Sequence, residues 1–286
     1  MKENKDIKIV ECPRDAMQGI LEFISIENKI KYINSLIKVG FPIIDFGSFV
    51  SPKAVPQMRS TDKVLQGLNF RNDVKLLSII LNLRGAEQAL SLDGVDILGY
   101  PLSISEIFQN NNSNMDIATA ISEIDKIYDL CVKKNKILLV YFSMAFGNPY
   151  EEYFHVDLLI KYMIKIKEIG VNMISLADTI GNSNPKSIFE IYSKAKNYFP
   201  SLDIGLHLHS RAENSFEKIF AGWNAGCRRF DTAIGGFGGC PFAQDTLTGN
   251  IATEKLINFV AENNIKHSLD LLAFENAYNQ AKKIFN

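Results

Sequence analysis

The sequence predicts an α/β fold, a (β/α)8 barrel, on three observations. Eight short apolar runs alternate with helix-periodic segments, the runs are continuously apolar, and no Pro/Gly/Ser-rich linker divides the 286 residues. Continuous apolar strands belong to parallel sheet covered on both faces. Strict strand–helix alternation over roughly 250 residues is the pattern of a closed barrel. A doubly wound open sheet competes with it, but the Gly-rich turn that such a sheet carries after its first strand is missing. The expectation is one domain over 1–286, a TIM barrel with an extra C-terminal helix.

The elements follow in order. Ile7–Glu11 reads as the first strand, and Glu27–Val39 as a helix with Ile30, Ile33 and Ile37 on one face. Pro42–Phe46, Val74–Leu81 and Val95–Leu98 read as strands two to four. Asp116–Lys134 is a long amphipathic helix with Ile117, Ile121, Ile124, Ile127 and Tyr128 in register, followed by a fifth strand at Ile137–Phe142. A helix at Val156–Ile169 leads to a sixth strand at Asn172–Leu176, and Pro185 opens the next helix at a position where proline is tolerated. Asp203–His209 is strand seven, Glu213–Ala225 a helix, Arg228–Ala233 strand eight and Thr253–Glu262 a helix. A last helix over Leu269–Phe285 closes the chain.

Composition narrows the function. Lys+Arg total 31 against 32 for Asp+Glu, so there is no basic footprint for nucleic acid and no polybasic patch for a membrane surface. Six charges within Met1–Glu11 argue against a secretory signal, and the longest uncharged apolar stretch, Ile137–Tyr150, falls short of the roughly 18 residues of a membrane helix. A cytoplasmic protein is expected. The four cysteines, Cys12, Cys131, Cys227 and Cys240, have no CxxC spacing, which argues against a disulfide framework or a structural zinc site. Cys131 and Cys227 read as buried, His155 and His267 as surface residues, and Trp223 as packing.

A barrel of this kind carries its active site at the C-terminal strand ends. The polar residues there are Arg14 and Asp15 after strand one, Asp45 on strand two, Asn82 after strand three, Asp178 after strand six, and His207 and His209 on strand seven. Strand eight is followed by the run Gly235–Gly239, Cys240, Pro241. Two histidines two apart on a strand leave the same face. With nearby carboxylates and no thiolate they suit Mg2+ or Mn2+ better than structural zinc. Packed, hydrogen-bonded histidines fit the spacing equally well, and each aspartate alone is as readily a cap or turn residue. The glycine run reads either as a mobile loop or, functionally, as a lid or a phosphate contact near strands seven and eight.

These residues together resemble a family. Glu11–Gln18 (ECPRDAMQ), Ser48–Lys53 (SFVSPK), Val55–Met58 (VPQM), Ile174–Gly181 (ISLADTIG), His207-x-His209, Gly238–Ala243 (GGCPFA) and Gly249–Glu254 (GNIATE) are similar, in order, to motifs of the 3-hydroxy-3-methylglutaryl-CoA lyases, within the DRE-TIM metallolyases. The resemblance spans nearly the whole chain. It implies retro-Claisen cleavage of an acyl-CoA substrate to acetyl-CoA and acetoacetate. It further implies a divalent cation, Mg2+ or Mn2+, on Asp15, His207, His209 and Asn250. Arg14, Asp15, Asp45, His207 and Cys240 form the implied catalytic set: Arg14 faces the thioester, Asp45 replaces a family glutamate, and Cys240 lies on the loop over the site. Substrate contacts are expected from Arg14, Ser48, Asn82 and Asp178.

The sequence also departs from the family pattern. Ala16 replaces a glycine, Ser210 an aspartate and Asn148 a cysteine, and strand five lacks an arginine often found there. Two other readings therefore stand beside the lyase. A condensing enzyme of the isopropylmalate synthase type runs the bond the other way but usually carries a long C-terminal extension. A non-catalytic binding barrel has no need of so complete a residue set. A homodimer is the candidate assembly.

Overall fold

Eight parallel strands close on themselves. In the computed structural model, which describes residues 6–239 and 248–285, they are β1 (Lys8–Glu11), β2 (Ile43–Ser48), β3 (Lys75–Ile79), β4 (Ile97–Ser103), β5 (Ile137–Ser143), β6 (Met173–Asp178), β7 (Asp203–Ser210) and β8 (Arg229–Thr232). Each pairs with its sequence neighbours, and β1 pairs with β8 from Lys8↔Arg229 to Glu11↔Thr232, which seals the barrel. A two-residue strand, β9 (Gly249–Asn250), returns antiparallel on the end of β7 and sets Asn250 opposite His209.

The helices are α1 (Pro13–Gln18), α2 (Ile26–Val39), α3 (Thr61–Gln66), α4 (Leu83–Leu90), α5 (Glu106–Ser113), α6 (Ile117–Lys133), α7 (Val156–Ile169), α8 (Pro185–Tyr198), α9 (Ser215–Asn224), α10 (Thr253–Glu262) and α11 (Leu271–Phe285). Their boundaries have local causes. Ser25 caps α2 by accepting the Asn28 N–H, and Gly40 ends it in the left-handed region at φ 84°. Asp116 caps α6, while Asn184 and Ser187 form a reciprocal capping box around Pro185, which occupies the first turn of α8. The extra C-terminal helix α11 lies along α2, where Phe285 meets Tyr32 edge-on at 5.8 Å and stacks on Phe237 at 4.6 Å.

Apolar side chains form two shells. The larger lies between strands and helices; the smaller fills the barrel from within with Val10, Leu77, Ile97, Leu139 and Tyr141 among its members. Strand alternation divides them, as Leu138, Val140 and Phe142 face the helices while Leu139 and Tyr141 face inward. Cys131 and Cys227 are buried, as is Cys12. Trp223 packs edge-on against Phe259 under the Arg228 guanidinium. His155 is half-exposed and caps α7, whereas His267 is half-buried, its Nδ1 accepting the Leu269 N–H. No helix among the described residues is long and apolar enough to cross a membrane.

The structure corrects the expected boundaries in places. The fourth strand runs on past Leu98, through Gly99 and Pro101 to Ser103, because it stays in continuous register with β5. Arg14 and Asp15, expected only as residues after strand one, sit on a short helix started by Pro13 in the first turn. The short helices α3, α4 and α5 and the strand β9 are absent from the sequence expectation, being too brief to carry a period.

A candidate active site at the barrel mouth

The C-terminal halves of β2 to β7, with helix α1, surround a cavity of about 190 Å3. Its floor holds Arg14, Asp15, His207 and His209, and its wall includes Ser48, Val50, Ile79, Pro101, Tyr141, Ser143 and Thr179. Helix α1 starts one residue beyond the end of β1, so Arg14 and Asp15 fall in its first turn over the barrel axis.

Arg14 is held from two sides. Its Nε and Nη2 donate to Asp45 Oδ2 at 3.0 and 2.6 Å, and its Nη1 donates to Asp15 Oδ1 at 3.0 Å and Gln18 Oε1 at 2.9 Å. A register shift between Asp45 and Gly47 marks a bulge beside Asp45. Asp45 is buried, and that burial pushes its carboxyl up to about 6, with Arg14 pulling the other way. Burial also works against an ionised Asp15, but Arg14 and the two imidazoles override it and bring its carboxyl to about 2.

The histidines meet as the spacing predicts. Their Nε2 atoms are 3.2 Å apart, and ligand atoms of Asp15, His207 and His209 all lie within 4.8 Å of one another. The opposite ring nitrogens face oxygens: His209 Nδ1 is bonded to Thr179 O at 3.0 Å, and His207 Nδ1 makes a close charge contact with Asp231 Oδ2 at 3.3 Å without hydrogen-bond geometry. Burial, then the charge of His207, lowers His209 to about 4. Burial opposes charge on His207 too, yet the Asp231 carboxylate holds it above the usual imidazole value.

Asn250 completes the group through β9. Its Nδ2 donates to Asp15 Oδ2 at 2.6 Å and to Phe237 O at 2.9 Å, while its buried Oδ1 has no partner among the described residues. One carboxylate, two imidazoles with converging Nε2 edges and an unengaged amide oxygen form a donor set fitted to a hard or borderline divalent cation. Cys12, His207 and Asp231 also bring ligand atoms within 4.8 Å, but burial and the surrounding carboxylates hold the Cys12 thiol in its protonated form.

Not every expected residue reaches the cavity. Ser48 does, with a buried hydroxyl that has no partner among the described residues. Asp45 is absent from the lining because its Oδ2 faces Arg14. Asn82 caps α4 instead, its Oδ1 accepting the Gly85 N–H at 2.9 Å. Asp178 also points away from the lining, toward Ser183 and the buried Lys218, whose ammonium donates to Asp178 Oδ2, Gly181 O and His209 O. Cys240 lies outside the described residues.

Gln18, Thr179, Lys218, Arg229 and Asp231 join the site without a place in the sequence expectation. Arg229 and Asp231 do carry a legible signal, because charged residues two apart on an apolar strand share one face. Gln18 lies three and four residues from Asp15 and Arg14, within reach along a helix.

Comparison with known proteins identifies the family. The HMGL-like family pattern matches residues 7–280. The hydroxymethylglutaryl-CoA lyase of Bacillus subtilis is 31% identical over 268 residues, 93% of this chain and 89% of that protein. The (R)-citramalyl-CoA lyase of Chloroflexus aurantiacus is 29% identical over 273 residues, 92% of this chain and 85% of that protein. Among solved structures, an HMG-CoA lyase from Acinetobacter baumannii in complex with coenzyme A and 3-methylmalate superposes with a TM-score of 0.92 at 30% identity, covering 100% of this chain and 93% of its own.

Proposed function

The chain belongs to the HMGL-like family of lyases, and from that premise we propose that it cleaves 3-hydroxy-3-methylglutaryl-CoA to acetyl-CoA and acetoacetate. The observation that carries the reading is the convergence of Asp15, His207 and His209 beside the Arg14 guanidinium on the cavity floor. Asp15, His207, His209 and Asn250 would hold the divalent cation, Mg2+ or Mn2+. When bound, such a cation makes a tertiary hydroxyl easier to deprotonate and polarises a neighbouring carbonyl.

The protein's own groups supply the rest. In the cleavage the hydroxyl gives its proton to solvent and becomes a ketone, the C2–C3 bond breaks, and its electron pair moves into the thioester enolate, whose carbon then takes up one proton. Arg14, oriented by Asp45, presents N–H donors where negative charge collects on the thioester oxygen. Ser48 adds to the cavity wall a hydroxyl that has no other partner among the described residues. Cys240, by its place in the family motif, is the proposed acid that protonates the enolate carbon. Asp45 acts here as a positioning residue for Arg14, and Asn82 and Asp178 act through the backbone they fix. We place the reaction in the cytoplasm.

The citramalyl-CoA lyase relative, at nearly the same identity, favours a second reading in which the bond cleaved is the same and the acyl group differs. The test is acetyl-CoA release from 3-hydroxy-3-methylglutaryl-CoA and from citramalyl-CoA, each with and without EDTA. EDTA-sensitive release from the first at higher kcat/KM supports the proposal. Preference for the second transfers the function to that acyl group, and release from neither refutes lyase activity.

A further inference from the structure

We propose that Asp231, itself held by Arg229, is the positioning residue that fixes the ring of His207, and that Gly205 is a glycine because Arg229 must lie against it. The proposal rests on the reading that Asp15, His207 and His209 hold a divalent cation.

Gly205, His207 and His209 alternate along β7, while Arg229 and Asp231 alternate along β8, and the register pairs His207 with Asp231. All five therefore sit on the inward face of adjacent strands. Arg229 is only 1% exposed, an unusual place for a guanidinium, and its contacts explain it. Its Nε donates to Asp203 Oδ1 at 3.0 Å, its Nη2 donates to Ile174 O at 2.6 Å, and its Nη1 lies 3.7 Å from Asp231 Oδ1. A Cβ on residue 205 would stand 2.5 Å from Arg229 Cζ and 2.6 Å from Nη1. The guanidinium thus fills the space a side chain there would need.

Asp231 occupies the next level up. Its Oδ2 is 3.3 Å from His207 Nδ1 and accepts the Ser175 hydroxyl at 3.3 Å. The negative charge 3.3 Å from Nδ1 favours the tautomer with its proton there, which turns the Nε2 lone pair toward His209 Nε2 at 3.2 Å. Tyr141 packs edge-on against the same ring at 5.8 Å and limits its rotation. A buried carboxylate in that position needs a compensating charge, which Arg229 supplies, balanced in turn by the half-exposed Asp203. Asp203, Arg229 and Asp231 form a column of alternating charge running up the inside of the barrel to the His207 ring.

A carboxylate behind a metal-ligating histidine typically changes metal affinity by about 10- to 100-fold. The test is Mn2+ titration of the intact protein, with free Mn2+ followed by electron paramagnetic resonance and the unfolding midpoint of each metal-free variant recorded in parallel. Asp231→Asn should raise the Mn2+ Kd about 10- to 100-fold. Arg229→Met and Gly205→Ala should move it the same way by less. The double variant Asp231→Asn/Arg229→Met should match Asp231→Asn alone, because Arg229 acts through Asp231. Wild-type protein that fails to take up Mn2+ overturns the cation reading, and this proposal with it. Wild-type binding with Asp231→Asn folded and within about twofold of it overturns the proposal alone. Should Asp231→Asn fail to fold, Gly205→Ala takes its place, since it leaves both charged side chains intact; an unchanged Mn2+ Kd in that protein overturns the proposal.

Discussion

Replacing Asp45 by alanine tests whether the Arg14 guanidinium is held for catalysis or merely sits at the mouth. In the native protein Asp45 Oδ2 accepts from Arg14 Nε at 3.0 Å and Nη2 at 2.6 Å, with the two side chains 1% and 12% exposed. Removing one partner of a buried pair costs ~3–5 kcal/mol when the other is left uncompensated. Arg14 keeps Asp15 Oδ1 at 3.0 Å and Gln18 Oε1 at 2.9 Å, so the low end, about 3 kcal/mol, applies. With two of its bonds gone the guanidinium loses its fixed orientation, and a misplaced donor of this type costs ~10²–10³ in turnover. Asp45→Glu keeps the charge and should retain or raise turnover. Urea unfolding followed by circular dichroism reads the first quantity, and acetyl-CoA release reads the second. An Asp45→Ala protein within about 1 kcal/mol of wild type in stability and about threefold in turnover would refute the argument, because Arg14 would then need no anchor.

Two further outcomes are expected. Glu11 is fully buried between the Ile234 N–H and the Thr253 hydroxyl, and burial pushes its carboxyl from 4.5 up to about 8. The folded state therefore keeps a proton that the unfolded chain loses above about pH 4.5, and stability should fall by about 1.4 kcal/mol per pH unit toward pH 8. Glu11→Gln should remove that slope, and parallel pH profiles for the two proteins in urea melts would contradict it. Arg14→Met should lower turnover by ~10²–10³ while leaving Mn2+ uptake nearly unchanged, since Arg14 is not a ligand; loss of Mn2+ together with activity would assign Arg14 a different role.

The barrel is legible because its strands are long and apolar enough to stand apart from the helices, and helices such as α7 and α10 fall where their periodicity puts them. The convergence of His207 with His209 follows from strand geometry alone. What escapes are features that depend on tertiary contact. Asn82 reads as a substrate contact because it follows a strand, yet a single backbone N–H at Gly85 makes it a cap. Asp178 shares its motif with residues at the mouth, but the pleat sends its side chain outward, to Lys218 forty positions on. Nothing local in the sequence announces such a partner.

The first strand of the barrel is also the one that closes it. β1 pairs with β8, and the Ile234 N–H reaches Glu11 across 223 positions. A ribosome adding about 5–20 residues per second needs roughly ten to forty-five seconds to deliver that partner. During the wait β1 has an open hydrogen-bonding edge, and Arg14 and Asp15 lack Asn250 and His207. Folding of this kind is dominated by distant contacts and is expected to be slow. The nascent N-terminal segment is then the stretch most in need of a holding chaperone, and a stop anywhere before residue 229 leaves a sheet that cannot close.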